Sequence, residues 1–307
     1  EFLEEKNNDL ILLTTYSFDP VFFDYYLFPK LAENNPFAEV LVFVDGYAYQ
    51  QAYTRFTPRT GTEYHLIPVY QEGGVFHPKV GVFFSGGKDR ARVFIGSANL
   101  TLAGFTRNAE IVLQAEFSPA RGSPFLLDLM EMFLRLFESK RCIDSEAHEL
   151  VKNVYSELSE GGSSVHSGLR VLHNFTEPIL DRVCRVLEGK RFPRMKVVAP
   201  FFSSSARTLF KQVRDRLGVR EIVIGVQKRN HNLEPRTVKR YLEVADELGL
   251  RLEFKEAVFR EEDRRIHAKL IQLDGAGGSV LLVGSPNFTE PALLSTSHDG
   301  NFEVAVM

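Results

Sequence analysis

The chain has 307 residues, 44% of them hydrophobic and 25% charged, which marks a globular, soluble protein with core material for one large or two ordinary domains. Its net charge of -3 argues against a surface coated in basic charge, the usual footprint of strong non-specific nucleic-acid binding, and leaves room for a local basic cleft. No apolar run approaches the roughly 20 residues of a membrane span, and two cysteines without metal spacing, Cys142 and Cys184, point to free thiols in a cytoplasmic protein.

Along the chain, Leu10 to Phe18 reads as a buried strand running into a polar helix start at Asp19-Pro20, with a helix from Pro20 to Glu33. Val40 to Val44 and Tyr64 to Val69 read as the next strands, followed by strand-like sequence from Val75 to Phe84 and from Arg92 to Ile95. The middle differs: Pro124 to Glu138 places Phe125, Leu126, Leu129, Met130, Phe133 and Phe137 at helical spacing. Glu146 to Leu158 and Glu177 to Glu188 are further helices, with a linker from Glu160 to Ser164. After it the opening pattern returns, with strands over Met195–Phe202, Glu221–Val226, Leu250–Phe254, Ile266–Leu273 and Val280–Val283 and helices over Ala206–Leu217 and Pro235–Leu248. Alternating strands and helices predict an α/β fold of two pseudo-symmetric halves with mainly parallel sheets, residues 1–120 and 191–307, joined by a helical connector over 121–190.

The repetition extends to chemistry. His77, Lys79, Gly96, Ser97, Asn99, Thr101, Asn108 and Glu110 recur as His267, Lys269, Gly284, Ser285, Asn287, Thr289, Asn301 and Glu303. From His to the motif Asn the spacing is 22 residues in one copy and 20 in the other, so loops vary while chemical groups do not. In extended chain, residues i and i+2 share a face, so each pair presents an imidazole beside an ammonium. Around one phosphate, one His would attack the phosphorus and the other protonate the leaving oxygen. Lys79, Lys269, Asn99 and Asn287 would share the charge on the non-bridging oxygens. Glu110 and Glu303 are the natural orienters of the histidines, each holding a tautomer through the other ring nitrogen. The Gly-Ser steps at Gly96-Ser97 and Gly284-Ser285 read as tight strand exits that let backbone approach the anion, with both serines in support. Single short motifs carry real false-positive risk; two in the same order with matching flanks do not.

These residues resemble the phospholipase D superfamily, whose signature is His-x-Lys with an Asp five positions after the Lys and a downstream Gly-Ser-x-Asn, present twice per active site. The second copy fits in full through Asp274, which would tune that half; in the first, Phe84 stands where the Asp would be, as in the tyrosyl-DNA phosphodiesterase branch. The resemblance implies a phospholipase D-like fold with the active site between the halves. It further implies metal-independent phosphodiester hydrolysis through a phosphohistidine, with His77 as nucleophile and His267 as general acid, and neither cofactor nor metal.

Three function classes compete. A nuclease, DNA being favoured over RNA, would serve defence, restriction or repair and would hold its polyanion through Arg264, Arg265, Lys228 and Arg229. A phospholipase or phosphatidyltransferase would expect an interfacial amphipathic surface, which the sequence does not display. A catalytically weakened nucleic-acid-binding module would account for Phe84, but sits poorly with two retained His-Lys-Asn-Glu sets. Phe76 and Phe105 are the candidates for stacking on bases. The start at Glu1-Phe2, without Met, suggests a piece of a longer protein; a homodimer mate and a fused or associated helicase or ATPase are the partners for which family analogy leaves room.

Overall fold

A computed structural model describes residues 4–160, 168–227, 233–258 and 264–307. The first sheet contains β1 (Asn8–Thr15), β2 (Glu39–Asp45), β3 (His65–Val69), β4 (Val80–Ser85), β5 (Arg90–Gly96) and, beyond the short β6 (Asn108–Ala109), β7 (Val112–Phe117). The remaining strands are β8 (Val171–His173), β9 (Arg194–Val198), β10 (Glu221–Val226), β11 (Arg251–Glu256), the short β12 (Arg265–Ile266), β13 (Leu270–Gly275), β14 (Gly278–Gly284) and β15 (Val304–Val306). The sheet orders are β3-β2-β1-β4-β5-β7 and β11-β10-β9-β13-β14-β15-β8, so the halves repeat one topology and β8 is an addition at the edge of the second.

The expectation of mainly parallel sheets holds only for the leading units. β1, β2 and β3 pair in parallel, as do β9, β10 and β11, because helices connect them. The motif-bearing strands are antiparallel, making both sheets mixed. The cause is local: β4 meets β5 through a turn in which Gly86, Gly87 and Lys88 all take positive φ, and β13 meets β14 through Gly275 to Gly278. Such tight turns can only join antiparallel neighbours.

The first helical segment is also less regular than its pattern suggests. Between Pro20–Phe22 and Phe28–Asn34 it widens into a π turn at Phe23–Leu27, just before Pro29, whose missing N–H cannot continue an α ladder. The predicted helices at Pro124–Glu138, Ser145–Ser159, Ile179–Val186, Arg207–Leu217 and Pro235–Glu247 are present to within a few residues. Nearly all of the predicted linker, residues 161–164, lies outside the described residues. The connector does not form a layer of its own. Its first two helices bury Leu126, Met130, Phe133, Val151 and Val154 against Val82, Phe84 and Val93, and Val283, Phe302, Val304 and Val306 of the second half join the same core. Helix Ile179–Val186 packs instead on the second sheet. Each such apolar side chain contributes roughly 1.5–3 kcal/mol on burial, so the shared core holds the two motif copies in a fixed relation. Among the described residues no helix is long and apolar enough to cross a membrane.

Candidate active site

The two motif copies meet, and their carboxylates are exchanged. His77 Nδ1 lies 2.9 Å from Glu303 Oε2, while His267 Nδ1 lies 2.7 Å from Glu110 Oε1. Short backbone pairings between the halves enforce the exchange. His77 N donates to Phe302 O at 2.9 Å and Phe302 N to Val75 O at 2.8 Å. On the other side β12 runs parallel to β6, and His267 N donates to Ala109 O at 3.0 Å. In both cases the acceptor carbonyl belongs to the residue just before the glutamate, which sets the carboxylate beside the imidazole. One chain supplies all of these groups.

Each glutamate is held by its own copy. Ser97 Oγ donates to Glu110 and Ser285 Oγ to Glu303, both in short hydrogen bonds. Asn108 Nδ2 donates to Glu110 at 3.0 Å, and Asn301 Nδ2 to Glu303 at 3.2 Å. Gly96 and Gly284, read in the sequence as room for an anion, make room for neighbouring backbone instead. A Cβ at Gly96 would lie 2.3 Å from Ile111 O, and one at Gly284 2.3 Å from Val304 O. Gly284→Ala is therefore expected to cost about 1–3 kcal/mol through overpacking and to displace Glu303; an unchanged urea midpoint would refute this reading.

The lysines fold back in the same way, Lys79 Nζ donating to His77 O at 2.5 Å and Lys269 Nζ to His267 O at 2.8 Å. Both are buried. Burial, and secondarily the nearby Lys269, push the Lys79 ammonium well below the ordinary lysine range; burial brings Lys269 to about 8, against the pull of Glu110 and Glu303. Burial likewise lowers His77 to about 4 despite Glu303, and lowers His267 despite Glu110. Burial alone would raise both glutamates, but the facing imidazoles and serine hydroxyls outweigh it and keep both carboxyls below the usual range. Each histidine also feels the other copy's lysine, so all six groups share one electrostatic site.

The halves are not identical. Asn99 Oδ1 is cradled by Tyr16 N and Ser17 N at 3.3 Å and by Thr15 Oγ1 at 3.4 Å. Asn287 Oδ1 is buried and finds no partner among the described residues. The isolated bridges Phe18–Leu100 and Phe202–Phe288 align the two strand ends, so Ala199 and Pro200 stand where Thr15 and Tyr16 donate. Neither alanine side chain nor proline nitrogen can donate.

Several predicted site residues lie elsewhere. Asp274 sits at the far end of β13, where Ser279, Gln272 and Lys196 bind its carboxylate and hold it at about 2. Five strand positions, roughly 16 Å of chain, separate it from Lys269, and no site group touches it among the described residues. Phe84, its counterpart, is fully buried under the connector helices, which explains an apolar residue there. Arg264 and Arg265 are exposed on and beside β12, immediately before His267. Lys228 and Arg229 lie outside the described residues. Phe76 is fully buried against Phe302 and cannot stack on a base, whereas Phe105 is 37% exposed.

Three residues escaped the sequence reading. Asp45 ends β2, caps the following helix through Tyr47 N and Ala48 N, and accepts from Phe76 N at 2.8 Å, pinning the approach to His77. Asn174 accepts from Glu303 N at 2.8 Å and donates to Asn301 O at 2.6 Å. Tyr16 lies 5.5 Å from the His77 ring and 5.7 Å from Lys79 Nζ, centroid distances. None of the three belongs to the repeated pattern, which was the only signal available.

No family model and no curated protein matches the chain. Solved structures do. Yeast tyrosyl-DNA phosphodiesterase is similar with a TM-score of 0.66 at 12% identity, over 98% of this chain and 84% of that one. Polyphosphate kinase from Porphyromonas gingivalis is similar with a TM-score of 0.51 at 13% identity, over 99% of this chain and 41% of that one. At these identities the similarity shows the fold, which this chain shares with both.

Proposed function

We propose that the protein is a metal-independent phosphodiesterase that cleaves nucleic acid, DNA in preference to RNA, through a phosphohistidine. The observation that carries the proposal is the pair of histidines, each backed by the other copy's glutamate and flanked by a buried lysine. Neutral His77, its Nδ1–H donated to Glu303, presents the Nε2 lone pair to phosphorus. As the N–P bond forms, the bond to the leaving oxygen breaks and His267 delivers its proton to that oxygen. Water then attacks the phosphohistidine, neutral His267 takes the water proton, and the N–P bond breaks to release His77. Glu303 and Glu110 stabilise each imidazolium in turn, and the two ammonium groups carry the phosphoryl charge. A DNA substrate is supported by similarity to a DNA-directed phosphodiesterase fold and by the exposed Arg264 and Arg265 beside the site.

The test is cleavage of labelled single- and double-stranded DNA and RNA and of a phosphatidylcholine analogue, with and without EDTA. Nucleic-acid cleavage should survive the chelator and fall steeply with salt, each phosphate contact adding about 0.9 to the slope on duplex DNA. Arg264→Ala with Arg265→Ala should flatten that slope. Loss of activity in EDTA, or hydrolysis of the lipid alone, would overturn the proposal.

The pH dependence follows from the same groups. His77 must be neutral, so kcat/KM rises as pH climbs through about 4. His267 must carry its proton, and burial lowers it from 6.5, so kcat/KM falls again as pH rises toward that value. An acid-side bell is expected; a profile still climbing above pH 7 would contradict the assignment.

A further inference from the structure

The pseudo-symmetry breaks on the outer faces of the two sheets, and the break opens onto the site. In the second half, helix Ile179–Val186 lies over Ile271, Leu282 and Phe288, leaving a space of only about 20 Å³. The equivalent face of the first half, where Gly81, Phe94 and Leu100 stand for those three residues, carries no such helix among the described residues. It holds an open cavity of about 240 Å³ lined by Leu13, Phe94, Phe105 and Val112 and, from the site, by Lys79 and Glu110. Gly81 lines it, whereas its counterpart Ile271 puts a side chain into the much smaller space of the second half; a strand-interior glycine leaves its backbone open to a close neighbour. The Phe105 wall continues outward through Phe22, 5.5 Å away between ring centroids, to Tyr26, which stacks on Phe22 and is 66% exposed.

We infer that this cavity receives one unpaired nucleobase next to the scissile phosphate, an inference that rests on the nuclease reading above. Lys79 and Glu110 of the proposed phosphate site are among its lining residues, so a group attached to the scissile phosphodiester can reach it. Its walls are apolar and partly aromatic, as a flat ring system requires. It is smaller than the roughly 300–1,000 Å³ of drug-sized pockets, on the scale of a single base rather than of a pair of acyl chains. Positive charge adjoins it: Arg107, two residues after Phe105, is exposed, and the next residue, Asn108, pairs with exposed Arg265 across β6 and β12, placing cations where flanking phosphates would run. A base can enter only if it is unpaired, so the strand must be single or locally opened at the cut.

The test compares kcat/KM of the wild-type chain, Gly81→Val and Phe105→Ala on a single-stranded oligonucleotide and on a base-free chain of abasic deoxyribose phosphates. Gly81→Val narrows the cavity and Phe105→Ala removes one of its walls, so one controls for a packing fault in the other; melting temperatures confirm folding. Both variants should lose about 5- to 150-fold on the strand with bases, the range for one base on an aromatic wall, and stay within about two-fold of wild type on the abasic chain. Equal losses on both substrates, or no loss on either, would overturn the inference. A wild-type protein that cuts neither substrate would overturn the nuclease reading and this inference with it.

Discussion

His77→Ala is expected to abolish turnover together with any covalent phosphoenzyme, whereas His267→Ala should slow turnover by about 10²–10⁴-fold, the range for lost general acid–base help. The asymmetry follows from the two environments. His77 is buried, backed by a fully buried Glu303 and lowered to about 4, so it is neutral over most of the pH range, as the proposed role of nucleophile requires. His267 is half-buried and lies between Glu110 and Lys269, whose Nζ approaches its Nε2 to 3.1 Å. With a p-nitrophenyl ester, whose leaving group departs without a proton, His267→Ala should still form the phosphoenzyme and then accumulate it, because the base that activates water is missing. Acid quench and peptide mapping would locate the phosphate; finding it on His267 would reverse the roles.

The exchange of carboxylates leads to the second large effect. Glu303→Gln, although it lies in the second copy, should impair the step performed by the first: formation of the phosphoenzyme should fall by about 10⁴, the loss seen when a triad carboxylate becomes an amide and the imidazole adopts the wrong tautomer. Glu110→Gln should instead slow leaving-group protonation and hydrolysis, raising the steady-state phosphoenzyme on activated esters. Quench-flow on the two variants separates these steps. The opposite pattern, with Glu110→Gln impairing phosphoenzyme formation, would mean that each glutamate serves the histidine of its own copy.

Residue identity and spacing alone determined much of this. The doubled His-Lys-Asn-Glu pattern is legible because the functional groups recur in one order while the loops between them vary in length, and the repeated order of strands and helices follows from local hydrophobic periodicity. The motif serines were also legible, as companions of the glutamates. Tertiary structure alone decided which glutamate serves which histidine, since that depends on backbone pairings between residues 75–77 and 301–303 and between 265–267 and 108–110, and pairings between distant segments leave no trace in periodicity. It also decided the fates of Asp274 and Phe84, which occupy the same motif position. Connector helices cover one sheet face and make Phe84 core, while the other is left to solvent and makes Asp274 a surface ion-pair partner of Lys196. Asp45 and Asn174 were invisible for a related reason: each acts on the site by holding backbone far away in sequence, and nothing in a linear pattern distinguishes such a residue from an ordinary helix cap or turn asparagine.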